Sequence, residues 1–85
     1  MKIHLRFFAS IREALGVANE DIDLPAGIET IADLRTHLIA RGSPWAETLA
    51  TEKVLRCALN QQMVQPNTKL QNDAEVAFFP PVTGG

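Results

Sequence analysis

The chain has 85 residues, which is enough for one small domain and too few for two. Its 46% hydrophobic and 21% charged residues are typical of a folded globular protein and exclude a disordered chain. The 8 basic and 10 acidic side chains give a net charge of −2, which provides no strong attraction to nucleic acid or to an anionic membrane, so we expect neither as a partner.

The side chains capable of metal or redox chemistry are few. Cys57 is the single cysteine, which excludes a disulfide within the chain, and with His4 and His37 it makes no convincing zinc site. We interpret both histidines as solvated surface residues. His4 and Arg6 interrupt the apolar start, so it is not a secretory signal, and no apolar run is long enough to span a bilayer. We therefore expect a cytoplasmic location.

The chain begins with a predicted strand and a short helix. Residues 2–8 alternate in polarity, which predicts a strand with one buried face. The side chains on that face are Ile3, Leu5 and Phe7. Ser10 and Glu13 have the spacing of a capping box and Gly16 supplies a stop, so we predict a helix over residues 10–15.

A second strand and the main helix follow. Residues 21–24 alternate again and predict a strand that is antiparallel to the first. Thr30 and Asp33 open the next helix, and Gly42 closes it. Its apolar side chains at helical spacing are Ile31, Leu34, Leu38 and Ile39.

The remaining elements are short. Pro44, at a tolerated first position, starts a further helical turn, and strands are predicted over residues 54–59, 62–64 and 74–79. The side chains that face one way in the first of these strands are Leu55, Cys57 and Leu59. This parity indicates that Cys57 is a core residue rather than a persulfide site. Pro80 ends the last strand because proline has no N–H for the ladder.

This order of elements predicts an α+β fold of the β-grasp, ubiquitin-like type. We expect a mixed sheet of four to five strands, packed on one main helix with one or two short helices. The connections permit the first and last strands to lie side by side in parallel. Residues 1–79 are expected to form the domain, and residues 80–85 an extended tail.

The tail carries the most informative sequence pattern. Its residues are Pro80, Pro81, Val82, Thr83, Gly84 and Gly85. Two prolines favour an extended course, six residues reach about 20 Å, and two glycines fit a narrow channel. A terminal carboxylate is unreactive at neutral pH, whereas an acyl-adenylate made with ATP accepts a sulfur nucleophile and becomes a thiocarboxylate. The alternative is a frayed end without a role.

Several segments resemble the small, sulfur-carrying subunits of molybdopterin synthase, a family of ubiquitin-like proteins. Residues 77–85, Ala-Phe-Phe-Pro-Pro-Val-Thr-Gly-Gly, are similar to the C-terminal motif of that family, and residues 5–13 resemble its first strand and helix. Further positions that fit are Leu34, Arg35, Trp45 and residues 58–61. The resemblance spans nearly the whole chain, and its C-terminal motif is highly specific.

The resemblance implies a cycle of sulfur transfer. An adenylyltransferase similar to ubiquitin-activating enzymes uses ATP to adenylate Gly85, and a protein persulfide then replaces AMP with sulfur. The tail inserts into the large subunit of the synthase, where two sulfur transfers to cyclic pyranopterin monophosphate create the molybdopterin dithiolene. By this resemblance the chain binds no cofactor, is not an enzyme on its own, and works in an assembly of two small and two large subunits.

Strand parity predicts a partner surface at the root of the tail. Phe8 and Phe79 both lie on the polar faces of their strands, so they form an exposed aromatic patch if those strands are neighbours. A twisted strand end that buries one ring is the alternative. Arg12 is close enough in sequence to pair with a partner carboxylate, although simple solvation explains it nearly as well. The predicted partner-binding residues are Phe8, Arg12, Phe79, Pro80, Pro81, Val82, Thr83 and Gly84, and Gly85 is the residue that becomes adenylated and thiocarboxylated.

Two other functions fit parts of the same pattern. Sulfur carriers for thiazole synthesis in the thiamine pathway, or for protein tagging, share the terminal Gly-Gly, whereas residues 78–81 and Trp45 favour molybdopterin. A ubiquitin-like interaction domain without covalent chemistry is the second alternative. A stand-alone enzyme is the weakest interpretation, because the sequence contains no nucleophile–base pair, phosphate loop or metal cluster.

Overall fold

The computed structural model describes residues 1–81, and the predicted roles of Val82, Thr83, Gly84 and Gly85 lie outside the described residues. The described part contains five strands and three helices. They are β1 (Lys2–Phe7), α1 (Ala9–Leu15), β2 (Asn19–Asp23), α2 (Ile31–Ile39), α3 (Trp45–Thr48), β3 (Arg56–Leu59), β4 (Gln62–Val64) and β5 (Ala74–Phe79). No helix within this part is long and apolar enough to cross a membrane.

The strands form one mixed sheet in the order β2-β1-β5-β3-β4. β1 and β5 are parallel, whereas the other three neighbouring pairs are antiparallel. β5, the last strand, therefore lies in the middle of the sheet between β1 and β3. This topology confirms the predicted β-grasp fold, with the first and last strands side by side.

The core lies between one face of the sheet and the helices. β1 buries Ile3, Leu5 and Phe7 as predicted, and the same cluster contains Ile31, Leu34 and Leu38 of α2. The predicted capping box of α2 is present: Asp33 N–H donates to Thr30 Oγ1 at 3.1 Å, and Thr30 N–H donates to Asp33 Oδ2 at 3.1 Å. Backbone N–H groups of Glu29 and Thr30 hold the pKa of Asp33 below its usual value.

The predicted start of α1 is wrong. The helix begins at Ala9, and no side chain caps it, so Ser10 lies within the first turn and forms no capping box. β1 ends at Phe7, and Phe8 is extended with its carbonyl accepting from the N–H groups of Ile11 and Arg12. The chain turns directly from strand into helix, which buries Ile11. Ser10 is therefore the second residue of the helix and not its cap. Gly16 ends the helix as predicted, with a φ of 75°.

Three other boundaries differ from the prediction. β2 begins at Asn19, two residues early, because Asn19 pairs with Arg6 of β1. β3 begins at Arg56 rather than at residue 54, because Arg56 already faces Phe79, the last residue of β5. Beyond that pair, Pro80 has no N–H to continue the ladder. Pro44 precedes α3 instead of forming its first residue.

Candidate functional site

The tail leaves the sheet from its central strand. Val76 and Phe78 of β5 are 0% and 1% exposed, and β5 pairs with β1 up to Phe78 and with β3 up to Phe79. Pro80 is half-buried and Pro81 is exposed. The root of the tail is therefore held by hydrogen bonds and core packing on both sides, which fixes where the tail starts.

The structure brings the predicted aromatic patch together. The ring centroids of Phe8 and Phe79 are 6.4 Å apart at an interplanar angle of 82°, an edge-to-face contact. Phe8 is 42% exposed and Phe79 is half-buried, so neither ring enters the core. The Arg6 guanidinium lies 5.8 Å from the Phe8 ring centroid. The alternative of a twisted strand end that buries one ring is excluded.

Arg12 follows Phe8 by four residues and belongs to α1. It is exposed in the last turn of α1, and its N–H donates to the carbonyl of Phe8, four residues earlier. Phe8 is extended rather than helical, so this backbone hydrogen bond fixes where Arg12 starts and not where its guanidinium points. Its proposed pairing with a partner carboxylate remains a prediction.

The patch extends across the open face of the sheet, which is the face without helices. Ala77 of β5 lies opposite Ala58 of β3, and Ala58 lies opposite Met63 of β4, so all three share the face of Phe79. Met63 is 56% exposed. Ala77 and Ala58 are buried, so we call Phe8, Phe79 and Met63 the open-face patch. Sequence reasoning missed Met63, because its place depends on the β3–β4 register and not on its own strand.

Cys57 is a core residue, as predicted. It is 6% exposed, and its Sγ donates to the carbonyl of Val64 at 3.4 Å. Burial raises the pKa of the Cys57 thiol, with the nearby Arg35 guanidinium opposing that shift. A buried, protonated thiol is a poor nucleophile, which argues against persulfide chemistry at this position.

His4 lies at the surface as predicted, but it is paired with carboxylates rather than simply solvated. Its Nδ1 lies 2.7 Å from Asp21 Oδ1, and its Nε2 lies 3.6 Å from Asp73 Oδ1. The hydrogen bond to the Asp21 carboxylate is the main cause that raises the pKa of His4, with charge from Asp21 and Asp73 adding to it. This cluster lies toward the Lys2 end of β1, away from the tail root. Half-buried His37 lies on α2, and residues 1–81 contain no group of three metal-ligating side chains.

Comparison with known proteins gives the family of the chain. The model of the ThiS family matches residues 5–85. A protein of Escherichia coli named molybdopterin synthase sulfur carrier subunit is 41% identical over 98% of this chain and 99% of its own length, and one of the same name from Haemophilus influenzae is 40% identical over the same shares.

A solved structure supports the same placement. The complex of subunits 1 and 2 of the molybdopterin-converting factor from Helicobacter pylori contains a chain with a TM-score of 0.65 and 28% identity, with 100% of both chains covered. The family match covers nearly the whole chain. This chain therefore belongs to the ThiS family.

Proposed function

We propose that this chain is the sulfur carrier subunit of a molybdopterin synthase, and that its Gly85 carries the sulfur as a thiocarboxylate. The observation that carries this proposal is the segment 77–85, which runs from the central strand β5 through two prolines to Gly84 and Gly85. Relatives about 40% identical over nearly their whole length bear that name. We assign residues 1–79 to the domain and residues 80–85 to the tail.

The chemistry requires activation of the Gly85 carboxylate. ATP supplies an adenylyl group and releases pyrophosphate, which converts an inert carboxylate into an acyl-adenylate. The terminal sulfur of a protein persulfide then attacks the acyl carbon and displaces AMP. Cleavage of the resulting sulfur–sulfur bond by a second thiol of the donor leaves the thiocarboxylate on Gly85 and a disulfide on the donor. The carrier supplies the acyl group, and its partners supply the catalytic side chains.

The open-face patch and Arg12 are the proposed docking surface for those partners. An exposed aromatic pair at the tail root can anchor a partner while the tail enters its reaction centre. The Arg6 guanidinium beside the Phe8 ring, and Arg12 four residues after Phe8, favour a partner that bears carboxylates near its apolar contact. The proposed partners are the large synthase subunit, an adenylyltransferase of the ubiquitin-activating type and a persulfide donor. ATP is used by the adenylyltransferase and not by this chain.

Intact mass spectrometry tests the covalent step. After incubation with the adenylyltransferase, ATP and a persulfide donor, we expect the wild-type chain to gain about 16 Da, since sulfur replaces one oxygen. A variant that lacks Gly85 should not gain this mass, and Gln62→Ala, far from the tail in sequence, serves as the positive control. Dithiolene formation by the Gly85 deletion with purified large subunit would refute the proposal.

Co-purification separates the proposed pathway from the related ones. We expect the chain to retain a large synthase subunit and not a thiazole synthase. Retention of the thiazole synthase instead would assign the chain to thiamine synthesis. Full retention of partners together with no mass gain under any sulfur source would favour an interaction domain without covalent chemistry.

A further inference from the structure

Two hollows flank the tail root, and Val54 between them is not part of the proposed docking surface, although Met63 of that surface lines the second hollow. A hollow of about 410 Å³ lies between α1 and the segment before β3, and Pro80 is part of its lining. A second hollow of about 440 Å³ lies beside β3 and β4, and Pro81 is part of its lining. Val54 and Leu55 line both hollows. Residues 53–55, which we call the ridge, therefore separate the two hollows next to the start of the tail.

The ridge presents an unusually exposed apolar side chain. Val54 is 73% exposed, the largest exposure of any large hydrophobic residue in the described residues. The neighbouring Leu55 is half-buried and packs against the core, so the backbone of the ridge is anchored while Val54 projects outward. When a partner covers an apolar side chain that was exposed to water, the free energy of the complex falls, so binding is favoured.

Arg35 holds the ridge to the main helix. Its Nε donates to the carbonyl of Leu49 at 2.7 Å, and its Nη2 donates to the carbonyls of Ala50 and, at 2.8 Å, of Lys53. The N–H of Lys53 donates to the Ala50 carbonyl at 2.9 Å and closes the turn. One planar guanidinium thus fixes three carbonyls from the end of α3 to the ridge. A lysine ammonium lacks this planar fork and cannot reproduce the arrangement.

The charged side chains that line the hollows are both basic. Among residues 1–81, the charged side chains that line them are Lys53 and Arg56, although the chain as a whole has a net charge of −2. Glu47 of α3 is close enough to interact with Lys53, and Glu52 precedes the ridge, but neither lines a hollow. A surface that complements the ridge is therefore apolar at Val54 and acidic around it.

We propose that the ridge is a second docking contact, in which Val54 enters an apolar depression of the large synthase subunit and carboxylates of that subunit face Lys53 and Arg56. Arg35 is the positioning residue that holds the ridge for this contact. The inference rests on the proposed function and names the partner chemistry at a surface that adjoins the open-face patch, because Met63 lines the second hollow and Arg56 lies opposite Phe79. Contacts on several sides of the tail root would direct the tail toward the partner's reaction centre.

Binding of the full-length chain to purified large subunit, measured by calorimetry, tests the contact. We expect Val54→Ala to raise the Kd about tenfold and Arg35→Lys to raise it about threefold to tenfold. In the Val54→Ala background, Arg35→Lys should add less than about twofold, because Arg35 acts through the ridge. Lys53→Gln should reduce the salt dependence of binding. Arg41→Lys is the matched control, since Arg41 pairs with Glu20 and lines neither hollow.

Each outcome decides one part of the inference. A Kd for Val54→Ala within about twofold of wild type would overturn the contact. If the Kd changes of Val54→Ala and Arg35→Lys multiply in the double variant, Arg35 does not act through the ridge and its positioning role is overturned. Failure of Arg35→Lys to fold would likewise overturn that role and make Arg35 a residue of general stability. If wild type binds and gains sulfur while Val54→Ala behaves identically, the ridge is refuted alone. If wild type neither binds nor gains sulfur, the proposed function fails as well.

Discussion

Met63 gives the sharpest test of the open-face patch, because it is exposed and its contribution to docking can be worked out from its surface. Full burial of a methionine side chain is worth about 2 kcal/mol. Met63 is 56% exposed, so its docking on a partner is worth about 1 kcal/mol. Met63→Ala should therefore raise the Kd for the large synthase subunit about fivefold.

Gln62→Ala is the matched control on the same strand. Gln62 lies opposite Leu59, so its side chain belongs to the face that does not carry Met63. We expect its Kd to stay within about twofold of wild type, measured by calorimetry with the same preparation of large subunit. Thermal unfolding of both variants should shift Tm by less than about 4 °C, since β4 is a three-residue edge strand.

Two results would refute this reasoning about Met63. Unchanged affinity of Met63→Ala would place the docking surface elsewhere on the sheet. Equal weakening by Gln62→Ala would show that the effect comes from the stability of β4 and not from the patch.

Three further predictions concern the domain itself. Thr30→Ala should remove one half of the α2 capping box, destabilise the domain by about 1 kcal/mol and lower Tm by about 4–8 °C, whereas exposed Thr36→Ala should lower it less; circular dichroism measures both. The pKa of His4 is raised by folding, so its contribution to stability is complete below about pH 6.5 and is lost as pH rises through the folded pKa. His4→Gln should accordingly flatten the dependence of Tm on pH across that window, and an unchanged dependence would show that other groups cause it. Cys57 should react with iodoacetamide far more slowly in the native chain than in denaturant, as followed by mass, and equal rates would contradict its core position.

The sequence predicted well those elements in which the spacing of apolar residues along a single strand or helix determines which side chains are buried. The alternation of β1 and the spacing along α2 put Ile3 and Leu34 in the core without reference to any other element. Pro80 ended the last strand for a local reason, the missing N–H. The adjacency of Phe8 and Phe79 needed one tertiary assumption, that β1 and β5 are neighbours, and the β-grasp topology supplied it.

The features that the sequence did not predict depend on register and on backbone groups. The start of β3 depends on where its partner β5 ends. The sequence of residues 54–59 contains no information about that position. The ion pairs of His4 need Asp21 from β2 and Asp73 from the turn before β5. Arg35 binds the carbonyls of Leu49, Ala50 and Lys53, and any residue type there would present the same carbonyls. No side-chain pattern could therefore have indicated the ridge.

The position of β5 in the sheet constrains how any partner must meet this carrier. Hydrogen bonds to β1 and β3 on either side prevent Phe79 from shifting unless two ladders break, so the tail cannot gain length by sliding out of the sheet. Six residues beyond Phe79 span at most about 20 Å. A partner that rests on the open-face patch must therefore hold its reaction centre within that distance of Phe79. The same limit applies to every partner that acts on the terminal group, so the partners are expected to use one shared docking surface. Two partners cannot occupy that surface together, and the chain therefore receives sulfur and donates it in separate encounters.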